Sequence, residues 1–201
     1  MSMKAFLLRL LVLFIVISPF STYAETPGKT ETAILAGGCF WCIESDYEKL
    51  NGVYAAVSGY IGGHVKNPTY KQVSSGRSGH IEAVKITYDP EVISYSKILD
   101  YFWRHIDPTR NDGQFCDSGN QYRPAIFYLN QKQKELAIQS TEKTRKTKPF
   151  KAALKVELIK ATEFYPAEKY HQDYYKKNPI RYRFYRYRCG RDSRIEELWG
   201  K

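Results

Sequence analysis

"TAILAGGCFWCIESDYEKLNG", residues 32–52, changes from a strand pattern to a helix pattern at one cysteine. Residues 32–38 form a short apolar run that ends in two glycines, which predicts a buried strand. From Cys39 onward apolar residues recur at helical spacing until Asn51-Gly52 stops the pattern. We therefore predict that Cys39 lies at a strand end and at the first residues of a helix. Unpaired backbone N–H groups at a helix start favour an anion, so we expect a lowered pKa for its thiol.

The rest of the chain alternates strand and helix patterns, without repeats or a low-complexity linker. We predict strands at 53–63, 80–90, 124–129 and 155–161, and helices at 94–106, 130–147 and 167–177. Strands interleaved with helices indicate an α/β domain, more closely an α+β two-layer domain, in which helices pack on a mixed sheet. After the last helix we expect a long irregular C-terminal tail.

The first 24 residues have the layout of a secretory signal: a basic start, a short apolar run and small residues before a polar stretch. The alternative is a membrane anchor formed by residues 5–20, but Arg9, Ser18 and Pro19 interrupt that run. We expect residues 1–24 to be cleaved and residues 25–201 to form a single exported domain, periplasmic or secreted.

The net charge is +10 over 201 residues, and +8 once Lys4 and Arg9 leave with the signal. Residues 180–194, "IRYRFYRYRCGRDSR", interleave arginine with aromatic residues, as single-strand nucleic-acid binders do. An exported protein rarely meets nucleic acid, and a tail lying across the domain on its tyrosines explains the same pattern. We expect no nucleic-acid binding, and an attraction to anionic surfaces or acidic partners.

The four cysteines are Cys39, Cys42, Cys116 and Cys189. In an oxidising compartment they could form two structural disulfides, although a domain of this size does not need them. As zinc ligands they are incomplete, because C-x-x-C occurs only once. A thioredoxin-like dithiol and a single nucleophilic cysteine with a neighbour both stay open.

Other polar residues are candidates for chemistry. Glu82 precedes an apolar strand, and a carboxyl in such surroundings tends to have the raised pKa that a proton donor needs. Tyr70, Asp117 and Tyr122 lie in glycine-flanked segments, where functional groups collect.

From residue 33 to the end, the chain resembles the type A peptide-methionine sulfoxide reductases. Several motifs in order carry the resemblance: "GCFW" (38–41), "GYIGG" (59–63), "NPTY" (67–70), "SGHIEAVKITYDP" (78–90), "FWRHIDPT" (102–109), "DSGNQYRPAI" (117–126), "FYPAEKYHQDY" (164–174) and "CGRD" (189–192).

The resemblance implies a ferredoxin-like core and reduction of the S epimer of methionine sulfoxide, free or in peptides, with repair of oxidised exported proteins as its use. In the "GCFW" position, Cys39 is implied as the nucleophile that attacks the sulfoxide sulfur and becomes a sulfenic acid. Glu82 is implied as the group that protonates or hydrogen-bonds the sulfoxide oxygen.

The remaining roles follow from the same resemblance. Tyr70 and Tyr122 are implied to help hold the sulfoxide oxygen, and Asp117 to support the polar end of the substrate. Phe40 and Trp41 are implied to line the pocket for the ε-methyl group. As residues directly beside a thiol, they also resemble the wall of an apolar pocket without any reference to a family.

A second thiol is expected to clear the sulfenic acid as a disulfide. We favour Cys189, in a glycine-flanked tail, over Cys42 and then Cys116. An exported enzyme cannot use a cytosolic reductant, so a thioredoxin-like partner in the exported compartment is implied. We expect no metal, no cofactor and a monomer.

Two other classes of protein remain as alternatives. One is a cysteine hydrolase or acyltransferase in which His80, His171 or His105 serves Cys39 as base. The other is a non-enzymatic binding module with structural disulfides.

Overall fold

A computed structural model describes residues 28–200 of the chain. Its helices and strands are, in order, β1 (Glu31–Ala36), α1 (Phe40–Tyr47), β2 (Val53–Ile61), α2 (Tyr70–Ser74), β3 (Ile81–Tyr88), α3 (Tyr95–Arg104), β4 (Gly113–Gln114), β5 (Asp117–Ser118), a 3-10 helix (Asn120–Tyr122), β6 (Ala125–Tyr128), α4 (Gln131–Thr147), β7 (Glu157–Lys160), β8 (Phe164–Pro166), α5 (Tyr174–Lys177), α6 (Pro179–Arg188) and α7 (Arg191–Trp199).

One six-stranded sheet, ordered β7-β6-β1-β3-β2-β8, organises the fold. The β6–β7 pair is parallel and the other pairs are antiparallel. The four central strands, with α1 after β1 and α3 after β3, have the ferredoxin-like order, and helices pack on the mixed sheet. The predicted fold class is confirmed.

Helices α1, α3 and α4 bury the apolar face of the sheet. The Tyr47 hydroxyl donates to the Ile98 carbonyl at 2.9 Å, which ties α1 to α3. The Trp103 indole donates to Ser140 Oγ at 2.9 Å, which ties α3 to α4. These bonds satisfy the polar atoms of two aromatic side chains that are otherwise enclosed in the core.

The turn from β1 into α1 places Cys39. Strand β1 ends at Ala36, and Cys39 is the N-cap residue of α1. Gly38 has a φ of 86°, and a Cβ there would lie 2.6 Å from the Gln114 side chain, so glycine is needed on both counts. The predicted strand end and helix start are confirmed.

The C-terminal tail is helical, so the expectation of an irregular tail was wrong. Helix α6 starts with Pro179 at its first position, where a missing N–H costs nothing. Gly190, in the left-handed region at φ 69°, separates α6 from α7. Leu198 and Trp199 of α7 are buried with the core. Their packing therefore holds the C-terminal tail on the domain, although the tail is rich in charged residues.

The helix predicted over 167–177 was also largely wrong, because only α5 forms there. The Gln172 amide bonds the backbone of Ser58 and of Ala167, and the Glu44 carboxyl accepts the Asp173 N–H. Asp173 itself has a φ of 54°. These side chains satisfy backbone groups that a helix would otherwise pair.

The predictions of a signal segment and of an anchor at residues 5–20 fall outside the described residues. Between residues 28 and 200, none of the helices combines the length and apolarity that crossing a bilayer requires.

Replacing Arg191 should loosen the tail. Its buried guanidinium donates to the Gly37 carbonyl at 2.8 Å and to the His105 carbonyl at 2.9 Å. Because both acceptors lose a charged donor, Arg191→Ala should lower the free energy of unfolding in urea by about 3 kcal/mol. The exposed Arg183→Ala on α6 is the control and should change it by less than about 0.5 kcal/mol. Equal losses in both variants would contradict the role of Arg191 in holding the C-terminal tail.

Candidate active site

Cys39 is buried at the start of α1, with 7% of its surface exposed. The first backbone N–H groups of this helix are already used: Phe40 N–H donates to Glu82 Oε2 at 3.0 Å, and Cys39 N–H donates to the Asp117 carboxyl. These two N–H groups are therefore paired with carboxyls and not with the Cys39 sulfur. Burial raises the pKa of the Cys39 thiol well above its ordinary value, so our expectation of a lowered pKa was wrong for this closed state.

Glu82 lies on β3 and is 2% exposed, beside the Cys39 end of α1. Burial raises the pKa of its carboxyl to about 8, against the lowering effect of the Phe40 N–H bond. The carboxyl therefore keeps a proton at neutral pH and can donate it, as the sequence predicted for an acid at this position.

Tyr70 and Tyr122 meet over Glu82, although they come from different elements. Tyr70 is the first residue of α2, and Tyr122 ends the 3-10 helix. Their hydroxyls are hydrogen-bonded to each other, and both lie close enough to Glu82 and Cys39 that a negative charge on either group would raise their pKa. Burial raises the pKa of Tyr70 to about 12 and raises that of Tyr122 further, so both hydroxyls keep their protons.

Asp117 joins the nucleophile to the C-terminal helix. Its carboxyl accepts the Cys39 backbone N–H, and its Oδ2 accepts the Tyr185 hydroxyl at 2.6 Å. The Tyr185 hydroxyl is also hydrogen-bonded to the Cys39 side chain. Burial raises the pKa of Asp117 above its ordinary value.

Phe40 and Trp41 form an aromatic wall next to Cys39. The Trp41 ring stacks on Tyr174 with centroids 3.7 Å apart, and its Nε1 donates to His171 Nδ1 at 3.0 Å. Phe40 packs at 5.0 Å from the His171 ring. The wall is rigid because both rings are held on several sides.

The four cysteines form two pairs at this site. Cys116 and Cys189 are joined by a disulfide, whereas Cys39 and Cys42 are free thiols hydrogen-bonded to each other. Both sulfurs of the disulfide lie 3.9 Å from Asp117 carboxylate oxygens, so the two pairs are close neighbours. The structure thus contains one disulfide, and it lies beside the reactive cysteine.

Within residues 28–200, two groups could hold a metal ion by ligand distance. In the first, Cys116 and Cys189 are already bonded to each other. In the second, formed by Glu44, Glu48 and Asp173, the Lys176 ammonium lies 2.6 Å from Glu48 and 2.7 Å from Asp173. A lysine thus supplies the positive charge that a metal would bring.

The hydrolase alternative needs a histidine base bonded to Cys39, and the bonds of the three candidates run to other groups, although His171 lies beside the aromatic wall. The nitrogens of His80 bond the Gly63 N–H and the Val65 carbonyl. His105 Nδ1 bonds the carbonyl of Tyr101, and His171 Nδ1 accepts the Trp41 indole. The acid beside Cys39 is a carboxyl instead, which argues against acyl transfer by a cysteine–histidine pair.

Fold and site together define a thiol enzyme: a buried cysteine, a protonated carboxyl, two hydroxyls and an aromatic wall on a ferredoxin-like sheet. These side chains can reduce a small oxidised sulfur group, because they place a sulfur nucleophile next to proton donors.

Known proteins agree with this definition. The family described as "Peptide methionine sulfoxide reductase" matches residues 31–201. The chain is 55% identical over 180 residues to "Peptide methionine sulfoxide reductase MsrA/MsrB" of Vibrio cholerae, which covers 90% of this chain and 48% of that protein, so the chain spans about half of its length. It is 48% identical to "Peptide methionine sulfoxide reductase MsrA" of Bacillus licheniformis, covering 86% of this chain and 96% of that protein.

Solved structures give the same result. Mxr1 from Saccharomyces cerevisiae in reduced form matches with a TM-score of 0.71 and 30% identity, over 77% of this chain and 88% of that one. The same yeast protein in complex with Trx2 shares the fold, with a TM-score of 0.53 and 22% identity over 77% of this chain and 91% of that one. The chain belongs to the peptide methionine sulfoxide reductase family.

Sequence reasoning missed Tyr174 and Tyr185 as parts of the site, and considered His171 only as a base. The helical spacing of Tyr182, Tyr185 and Cys189 was a usable signal, since it places the three on one face of a helix. The alternation of arginine with tyrosine obscured that spacing.

Replacing the nucleophile should abolish the reaction. Cys39→Ser should show no measurable reduction of a peptide S-sulfoxide by chromatography, because within residues 28–200 no other thiol lies beside both Glu82 and Asp117. Cys42→Ser is the matched control and should retain sulfenic acid formation. Substantial turnover by Cys39→Ser would refute the assignment of the nucleophile.

Replacing the acid should slow the first chemical step and change its pH dependence. Glu82→Gln should reduce the single-turnover rate by about ten- to ten-thousandfold. In the unmodified protein the rate should fall as the pH rises through about 8, where Glu82 loses its proton, and this fall should be absent in the variant. Normal attack with stalled disulfide formation would assign Glu82 another role.

Proposed function

We propose that this protein reduces the S epimer of methionine sulfoxide, free or in peptides and proteins, to methionine. The observation that carries the proposal is the protonated Glu82 carboxyl beside the Cys39 thiol, next to an aromatic wall. A sulfoxide oxygen leaves sulfur only when it is protonated, so an acid and a thiol held as neighbours suit this substrate.

The first step transfers the oxygen equivalent to Cys39. The Cys39 sulfur bonds to the sulfoxide sulfur as Glu82 supplies a proton to the oxygen, and the proton that the Cys39 thiol releases returns to Glu82. The Tyr70 and Tyr122 hydroxyls hold that oxygen. When the sulfur–sulfur intermediate breaks down, the hydroxyl leaves the substrate sulfur and bonds to the Cys39 sulfur. Methionine leaves reduced by two electrons, and Cys39 is left as a sulfenic acid. Phe40 and Trp41 hold the methyl group, and Asp117 the polar end of the substrate.

We propose that Cys189 then resolves the sulfenic acid. Its thiol displaces water to form a Cys39–Cys189 disulfide, and the Cys116 thiol displaces Cys39 from it. The products are a free Cys39 thiol and a Cys116–Cys189 disulfide, the state that the structure contains. Cys42 is the alternative resolving cysteine, because its thiol is hydrogen-bonded to Cys39.

We propose a thioredoxin-like dithiol protein as the reductant. The cycle ends in a disulfide, which a dithiol reduces by exchange, and Cys116 is exposed for attack. The crystallised complex of yeast Mxr1 with Trx2 supports a partner of this kind.

Incubation with each epimer of a methionine sulfoxide peptide and dithiothreitol tests the function. We expect methionine from the S epimer only. The aromatic wall holds the methyl group and Glu82 holds the oxygen, so only one epimer turns the free side of its sulfur toward Cys39. Reduction of neither epimer by folded protein would refute the proposal.

Peptide mapping after one turnover without reductant tests the order of the disulfides. We expect Cys116–Cys189 in the unmodified protein and Cys39–Cys189 trapped in Cys116→Ser. Cys189→Ser should accumulate sulfenic acid at Cys39 or divert it to Cys42, and should lose turnover with a thioredoxin-like donor. A Cys39–Cys42 bond in the unmodified protein, with normal cycling by Cys189→Ser, would assign resolution to Cys42.

We further propose that residues 1–24 export the protein and are removed, and that it repairs oxidised exported proteins as a monomer. The pattern of the first 24 residues supports export, and the assembly of the site within one chain supports a monomer. Fractionation of a bacterial host and N-terminal sequencing should give periplasmic protein that begins near Glu25. An uncleaved, membrane-bound protein would favour an anchor instead.

A further inference from the structure

The site is closed in this structure. Cys39, Phe40 and Glu82 are all buried, yet a sulfoxide must touch all three. Some part of the protein therefore has to move before a substrate can enter.

One face of α6 forms part of the cover. Tyr182 packs against Cys42, and Tyr185 bonds Cys39 and Asp117 while its ring meets the edge of Trp41 at 5.8 Å. Cys189, the C-cap residue of the helix, continues the same face. The opposite face, with Ile180, Phe184 and Tyr187, is exposed.

Two links on this face hold α6 to one short segment of the chain. Cys189 is bonded to Cys116, and Tyr185 donates to Asp117, the next residue. The disulfide keeps the Tyr185 hydroxyl close to the Asp117 carboxyl and so raises their effective concentration for each other. It therefore favours the hydrogen bond between them. Breaking the disulfide removes this covalent support from the Tyr185 bond, while the packing of Tyr182 and the Arg186–Asp46 ion pair keep the rest of α6 on the domain.

We propose that Tyr185 is a positioning residue that closes the site over Cys39 while the Cys116–Cys189 disulfide is intact, and that reduction of this disulfide opens it. In that reduction an external dithiol gives two electrons and two protons, Cys116 and Cys189 become thiols, and the dithiol becomes a disulfide. A sulfoxide is then admitted only after the protein has regained the thiols that resolve the sulfenic acid.

Alkylation of Cys39 by iodoacetamide measures this opening without any sulfoxide. The oxidised form is prepared with oxidised glutathione and its Cys116–Cys189 bond verified by peptide mapping; the reduced form is prepared with dithiothreitol, which is then removed. Site-resolved mass spectrometry should show Cys39 reacting about tenfold faster in the reduced protein, the effect of one lost hydrogen bond. The Cys116→Ser/Cys189→Ser double variant should react as the reduced form does.

Variants on the two faces of α6 assign the effect to Tyr185. Tyr185→Ala should make Cys39 react fast in both redox states, and Tyr185→Phe, which keeps the ring, should give an intermediate ratio. Tyr187→Ala, on the exposed face, should keep the ratio of the unmodified protein. Thermal unfolding of each variant checks that a fast reaction is not caused by loss of the fold.

Equal alkylation rates in both redox states of the unmodified protein would overturn the inference. So would an unchanged ratio in a folded Tyr185→Ala variant. The inference rests on the proposed function only in taking Cys39 as the nucleophile. A protein that keeps the alkylation ratio but reduces neither sulfoxide epimer would refute the proposed function alone.

Discussion

The hydrogen bond from the Phe40 N–H to the Glu82 carboxyl is the interaction on which the site depends. It joins the first residue of α1 to β3 across 42 positions of sequence, and so places the acid beside the nucleophile. The carboxyl stays protonated because it is buried. That burial has a cost in stability. The Glu82 carboxyl releases its proton above its ordinary pKa of 4.5 in the unfolded chain, but only near 8 in the folded chain. The free energy of unfolding therefore falls as the pH rises from 4.5 to 8.

Burial is the main reason why Cys39 is not a thiolate in the closed state, and the neighbouring Cys42, Glu82 and Asp117 side chains add to the effect. The Phe40 and Cys39 N–H groups at the start of this helix are bonded to the Glu82 and Asp117 carboxyls. The closed site thus keeps its nucleophile protonated and covered, and the C-terminal helix supplies part of that cover. Uncovering Cys39 would therefore both admit the substrate and remove part of the burial that keeps the thiol protonated.

The sequence predicted the parts of the site that depend on local patterns. The run of apolar residues into Gly37-Gly38 placed Cys39 at a helix start, and the alternation of the β3 strand identified Glu82 as a carboxyl in apolar surroundings. These predictions succeeded because strand and helix periodicities are local. The motif resemblance brought Tyr70, Tyr122 and Asp117 to the same site, where the structure places them.

What the sequence could not show depends on contacts between distant segments. The pairing of Cys116 with Cys189 joins positions 73 residues apart, and nothing in their flanks selects it over the other pairings. The tail appeared irregular because its arginines and tyrosines alternate, whereas only its packing on α1 makes one face of α6 a buried face.

The central claim is that a neutral carboxyl at Glu82 serves the thiol at Cys39. Difference infrared spectroscopy of the protein across pH tests it most directly. The account predicts that Glu82 contributes a protonated carboxylic acid band at pH 7 that disappears near pH 8. Burial also raises the pKa of Glu44 to about 7, so the Glu82 band is the part that the unmodified protein shows and Glu82→Gln lacks. A carboxylate at pH 7, with no such band to lose, would contradict it.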